Sequence, residues 1–207
     1  MLCAPTGQAA TLSFHVGVNT SSLVGNVNGP FSLDFQVNGV GPLTNAVTLD
    51  DFSFTGGTPT GSPSLFGNAT GDLGSTVSLN DVGSANNEFF QGFTAGTTEI
   101  QFDASITENV NTPTPDGFVM AILDNTLSNI PTTGAFDSLL LLNISQLNPT
   151  LGNMQTAAST APDAGVTVAV TAPTPEPGTL GLFLSGGVLA AGWISLRRTR
   201  RNRAAVR

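Results

Sequence analysis

Lysine and tyrosine are absent from this chain, and no arginine occurs before Arg197. Nucleic-acid binding runs on Lys and Arg, so everything upstream of Arg197 is poorly suited to it. The same lack argues against docking on anionic lipid through that part of the chain, and the lack of lysine rules out isopeptide cross-links. Histidine occurs once, at His15, and cysteine once, at Cys3. One imidazole and one thiol near the start leave a zinc site only carboxylates to draw on. No Gly-x-Ser-x-Gly elbow is present to serve a Ser-His-Asp catalyst, and a lone strand histidine reads as a surface residue. No amphipathic helix of a soluble kind and no repeat of fixed period is evident.

What the chain has is an uneven distribution of charge. All 14 Asp and Glu residues precede Leu180, and all 6 basic residues follow Leu196. Between them, Leu180–Leu196 is apolar and uncharged. Counted from Gly178 the stretch is 19 residues, about 28 Å as a helix, which nearly spans a bilayer core of about 30 Å. Trp193 sits near its end, where an interfacial aromatic is expected. The cluster Arg197, Arg198, Arg200, Arg201 and Arg203 follows at once. By the positive-inside rule it fixes the C-terminus in the cytoplasm and the acidic part outside. Pro175 and Pro177 stop any helix from extending upstream, so Thr171–Pro177 is expected to be extended and accessible to a protease.

Before the tail, apolar and polar residues alternate with the period of half-buried strands. Leu12, Phe14, Val16 and Val18 form one run; Phe31, Leu33, Phe35 and Val37 form the next, with Ser32, Asp34 and Gln36 outward. Val47 and Leu49 lead into Phe52 and Phe54 on a shifted phase, which predicts a bulge at Asp50–Asp51. Further runs surround Val77 and Leu79, Phe89 to Phe93, Ile100 to Ile106, and Val166 to Val170. Phe118–Leu123 and Leu139–Ile144 are nearly continuous apolar stretches, which suits strands covered on both faces. Clusters of Gly, Pro, Asn and Asp punctuate the runs, among them Asn26–Pro30, Thr55–Pro63 and Asn111–Gly117. The expectation is an antiparallel β-sandwich of about nine strands, jelly-roll or immunoglobulin-like, followed by one C-terminal transmembrane helix.

The tail resembles the PEP-CTERM sorting signal of Gram-negative bacteria: Pro175-Glu176-Pro177, one membrane helix, then an arginine cluster. The resemblance covers residues 174–203. It implies a substrate of exosortase, an integral-membrane protease-like enzyme, with cleavage near the motif and transfer to the cell surface or medium. Phrases such as Gly29–Gln36, Asn87–Gln91 and Pro115–Asp124 are similar to an uncharacterised group of PEP-CTERM proteins, which supplies no activity. The opening Met1–Ala10 reads as the end of a signal peptide cut near Ala9 or Ala10, its charged start lying upstream. The mature protein would then lack cysteine. The expected organisation is a signal remnant over 1–10, the sandwich over 11–171, a linker over 172–179, the helix over 180–196 and a basic tail over 197–207.

Three chemistries remain for the exposed part. Paired carboxylates of a glycosidase could come from Asp50 with Asp51, Glu99 with Asp103, or Asp116 with Asp124. On a regular strand Asp50 and Asp51 point to opposite faces, and Glu99 and Asp103 are too far apart without a partner strand; solvating charges on a β-surface explain these letters better. Calcium suits the acidic loops, with Asp81, Glu88, Asp116 and Asp124 as ligands, although no Asp-x-Asp-x-Asp-Gly loop is present. Sugar binding wants exposed aromatics; the phenylalanines fall on the inward phase and Trp193 lies in the tail, which counts against it. Sequons stand at Asn19, Asn68 and Asn143, the last inside an apolar run that argues for burial. The leading expectation is a non-enzymatic cell-envelope protein, with exosortase, the membrane and extracellular polysaccharide as partners. Its alternatives are a calcium- or carbohydrate-binding adhesin-like module and a permanently anchored membrane protein.

Overall fold

A computed structural model describes residues 10–39, 44–109, 116–144 and 154–172. Residues 1–9 of the signal remnant expected over 1–10, and the whole C-terminal tail with Pro175, Glu176, Pro177 and the arginines, lie outside these residues; Ala10 opens the first strand. Among the described residues no helix is long and apolar enough to cross a membrane. The chain divides into two units, Met1–Ala172 and Pro173–Arg207; the description below concerns the first.

The fold is all-β and antiparallel. Twelve strands occur among the described residues: β1 (Ala10–Asn19), β2 (Ser32–Asn38), β3 (Ala46–Thr55), β4 (Pro59–Phe66), β5 (Thr70–Gly71), β6 (Val77–Asn80), β7 (Asn86–Phe93), β8 (Glu99–Glu108), β9 (Asp116–Leu123), β10 (Leu140–Ile144), β11 (Met154–Thr156) and β12 (Thr167–Thr171). The first sheet has the order β12-β1-β8-β3-β6-β5 and the second β11-β10-β9-β2-β7-β4. Neighbours in the sheets are mostly distant in sequence: β1 pairs with β8, β2 with β7, and β3 with β6.

Alternation explains the layering. Phe14, Val16 and Val18 of β1, Ile100, Phe102 and Ile106 of β8, and Val47 and Leu49 of β3 are buried and contribute to one core. So do Leu33, Phe35 and Val37 of β2, and Phe118, Met120 and Ile122 of β9. Phe35 joins the layers. Its ring lies 5.3 Å from Phe102, edge to face, and 6.3 Å from Phe52, both in the first sheet. It also sits 6.2 Å from Phe89 and 6.2 Å from Phe118 in its own sheet. Offset and edge contacts of this kind add to plain area burial.

The phase shift in β3 is a real irregularity: the register with β8 breaks between Asp50 and Ser53, and Asp51 has φ 53°. Elsewhere the sequence reading needs correction. Thr55–Pro63 is only partly a turn, because β4 begins at Pro59. Proline is tolerated there because β4 is an edge strand. Its register with β7 breaks between Thr60 and Ser64, where Gly61 takes φ +68°. Asp34 keeps its outward phase yet is wholly buried. Asn143 is exposed, not buried. The phenylalanines are not all inward: Phe66 is 56% exposed and Phe136 is 84% exposed.

Candidate functional site: carboxylates without basic partners

The bulge in β3 builds the first acidic cluster. Asp50 sits opposite Asp103 of β8, and His15 of β1 lies on the other side of Asp103. The irregular backbone removes the alternation that would send Asp51 to the opposite face. Carboxylate oxygens of Asp50, Asp51 and Asp103 therefore lie within 4.8 Å of one another. His15 Nδ1 is 2.6 Å from Asp103 Oδ1, with 42% and 50% of the two side chains exposed. Partial burial, with Asp51 and Asp103 alongside, pushes the Asp50 carboxyl above its ordinary range. This grouping can offer a divalent cation three carboxylates on an open surface. Sequence reasoning dismissed the pairs one by one, because the partner strands that unite them were not visible. Ser13 and Ser105 lie two residues along, but their hydroxyls hydrogen-bond each other at 3.0 Å. Among the described residues no serine hydrogen-bonds His15, so a Ser-His-Asp relay is not assembled.

The expected calcium ligands fall in three places. Asp81 and Asp116 come together. Asn45 donates its backbone N–H to Asp81 Oδ1 at 2.7 Å and its amide to Asp116 Oδ2 at 2.6 Å. All three are buried. Burial, together with the hydrogen bond and charge of Asp116, raises the Asp81 carboxyl, against the lowering effect of the Asn45 N–H. The two carboxyls thus stand in hydrogen-bond contact, with Asn45 donating to both. Gly39 packs directly on them, and a Cβ there would collide with the Asp81 carboxylate.

Glu88 stands elsewhere, on β7, paired with Gln36 of β2 and Phe66 of β4. Asp124 follows the last residue of β9 whereas Asp116 is the first, a separation of about 26 Å along a strand. Asp124 Oδ1 accepts from Thr126 N at 2.8 Å, Thr126 Oγ1 at 2.7 Å and Ser128 N at 3.1 Å. The Thr126 hydroxyl leads in holding this carboxyl below its ordinary range. All three bonds go to one oxygen, Oδ1, which its own turn occupies. Asp124 with Asn125 therefore serves the turn, and Asn125 itself donates to Gly29 O at 3.3 Å.

No family model, curated protein or solved structure matches this chain. Its chemistry rests on its own residues.

Asp34 was not singled out as a site by the sequence. It is flanked by Phe90 of β7 and Ala121 of β9. Gln36 donates its amide to Asp34 Oδ2 at 2.8 Å, and Oδ1 is buried with no hydrogen-bond partner among the described residues. Burial, opposed by the Gln36 hydrogen bond and reinforced by Glu88, raises the carboxyl to about 7. An alternation pattern tells which face a residue takes but not how tall its neighbours are, so this burial had no sequence signal.

Proposed function

We propose that this is a non-enzymatic exported protein of the Gram-negative cell envelope, sorted through a PEP-CTERM-type signal. The observation that carries the reading is the ordered tail. Pro175-Glu176-Pro177, the apolar Leu180–Leu196 and the arginines from Arg197 to Arg203 follow in that order, directly after the unit that ends at Ala172. An exosortase-type protease would read Glu176 and its flanking prolines. Leu180–Leu196 would hold the precursor in the membrane, and the arginines would set its orientation. The absence of Lys and Arg from the domain suits life in the medium or in an extracellular polysaccharide matrix, where self-repulsion keeps a surface soluble.

The domain is best read as a jelly roll. Nested pairing of β1 with β8, β2 with β7 and β3 with β6 is what results when a long hairpin of strands folds over on itself.

The test is the intact mass of protein from the native host's surface and medium, for the natural chain and for Glu176→Ala. Processing predicts a natural mass ending near Pro175–Pro177 and a variant that retains Arg207. A variant processed like the natural chain refutes the sorting reading. A natural chain that itself retains Arg207 makes this a resident single-pass protein.

The Asp50, Asp51 and Asp103 grouping favours a second reading, a calcium-binding adhesin-like module. It requires the melting temperature to rise with millimolar calcium and the rise to vanish in Asp103→Asn; an unchanged melting temperature ends it.

A further inference from the structure

The outer faces of the two sheets differ in chemistry. On the first sheet the outward positions of β1 and β8 are hydroxyls and charges, such as Ser13, Ser105, His15 and Asp103. On the second sheet one register row crosses all six strands: Gln155, Leu141, Val119, Gln36, Glu88 and Phe66. Leu141, Val119, Gln36 and Glu88 are half-buried, and Phe66 and Gln155 are exposed. The row is about 24 Å long at the usual strand spacing, long enough for several pyranose rings laid end to end.

At one end Phe66 stacks on Phe90 with centroids 6.4 Å apart. The pair forms an aromatic platform flanked by the Glu88 carboxylate. A parallel row carries Asn143, Asn38 and Asn86, with Gly117 leaving a gap between the first two. Amides in a line supply both donors and acceptors for sugar hydroxyls. Two carboxyls stand on the face: Glu88 at its surface, which carries the charge, and Asp34 beneath, raised to about 7 by burial and so mostly protonated at pH 6. No lysine or arginine occurs before Arg197 to neutralise them.

We propose that this face binds a linear glycan bearing free sugar amines. The apolar faces of its rings would stack on Phe66 and Phe90, its hydroxyls would meet the amide row, and an ammonium would sit against Glu88 and the aromatic pair. Charge decides between glycan classes: a uronate polymer would be repelled, and a neutral one would offer Glu88 hydroxyl donors but no counter-charge. The assignment concerns the folded domain and does not depend on how the tail is processed.

The test is calorimetric titration of the full chain, held in a polyoxyethylene detergent that carries no sugar, at pH 6. The titrants are a glucosamine hexamer, its fully N-acetylated counterpart and hexalysine. The expected result is at least tenfold tighter binding of the glucosamine hexamer than of the acetylated one. Phe66→Ala and Glu88→Gln should each weaken it at least tenfold. Asp72→Asn, which removes the same charge away from this face, should leave it within twofold. Circular dichroism of each variant checks that the fold is kept. Equal affinity for both hexamers overturns the charge assignment. Binding of the glucosamine hexamer that hexalysine matches and Phe66→Ala does not weaken means diffuse attraction to an acidic protein, and overturns the site. No binding of the glucosamine hexamer overturns it as well.

Discussion

Replacing Asp34 by asparagine is expected to stabilise the protein above pH 7 and to destabilise it near pH 4. The carboxyl titrates at about 7 in the fold against 3.8 for the ordinary group. Its folded-state affinity for the proton is therefore the higher one. Below pH 3.8 both states are protonated and burial is tolerated. Between 3.8 and about 7 the unfolded chain has lost the proton and the folded one keeps it, so stability falls as pH rises, by about 1.4 kcal/mol per unit. Over an interval of about 3 units the loss is about 4 kcal/mol, complete once pH passes the folded value. Asparagine has nearly the same shape, can still accept the Gln36 amide and cannot ionise. It buries an amide N–H₂ where Oδ1 stands, at a cost of about 1–3 kcal/mol. The net expectation is a variant roughly 1–3 kcal/mol more stable than the natural protein at pH 8 and less stable by a similar amount at pH 4. Urea unfolding at intervals from pH 4 to 8 measures this directly. Circular dichroism is the suitable probe, because tyrosine is absent and Trp193 lies outside the domain. Stability curves that run parallel over that range would refute the burial argument, and so would an asparagine variant that is the weaker one at pH 8.

Phe35→Ala removes the ring that contacts four other phenylalanines across both sheets; a loss of about 3–5 kcal/mol in urea unfolding is expected, and under 1 kcal/mol would mean the layers are not joined there. Asp51→Gly should raise the melting temperature, because it relieves a φ of 53° at a non-glycine residue and removes one of three crowded carboxylates. A fall would mean that the Asp51 side chain makes a stabilising contact.

Strand existence was legible in the sequence because a sheet with one buried face writes itself as alternation. The bulge in β3 was legible for the same reason, since Leu49 and Phe52 cannot share a period-two phase. What escaped the reading had no periodic signature. β5 and β11 are too short to show one, and β4 carries the two prolines that normally mark a loop. Its edge position removes their penalty, but edge positions depend on sheet order, which is a long-range property. The sites were less legible still. His15 meets Asp103 across 88 residues of sequence, and Asp81, just after β6, meets Asp116, the first residue of β9, at Asn45. The row from Gln155 to Phe66 exists only once six strands have taken their register.

The lack of basic residues then governs how this fold uses its acids. Most proteins offset a buried carboxylate with arginine or lysine; here, before Arg197, neither exists. Asp163 is instead held by amide donors, with Asn26 and Asn28 both bonding its Oδ1 at 2.8 and 2.9 Å. Asp124 is held by its own turn, and its lowered carboxyl contributes stability that is lost only as pH falls through the folded value. Asp34 has the single donor Gln36 and is raised by burial, so a proton does the work of the missing cation there; Asp81 is raised by burial and by Asp116 beside it. Both carboxyls are raised, and the stability they contribute is full below the ordinary value of 3.8 and is lost as pH rises from there through their folded values. These two groups therefore tilt the stability toward acid, through protons held within the fold and not through ion pairs on its surface. High salt, which would weaken a protein stapled by surface ion pairs, should by contrast stabilise this one by screening its like charges.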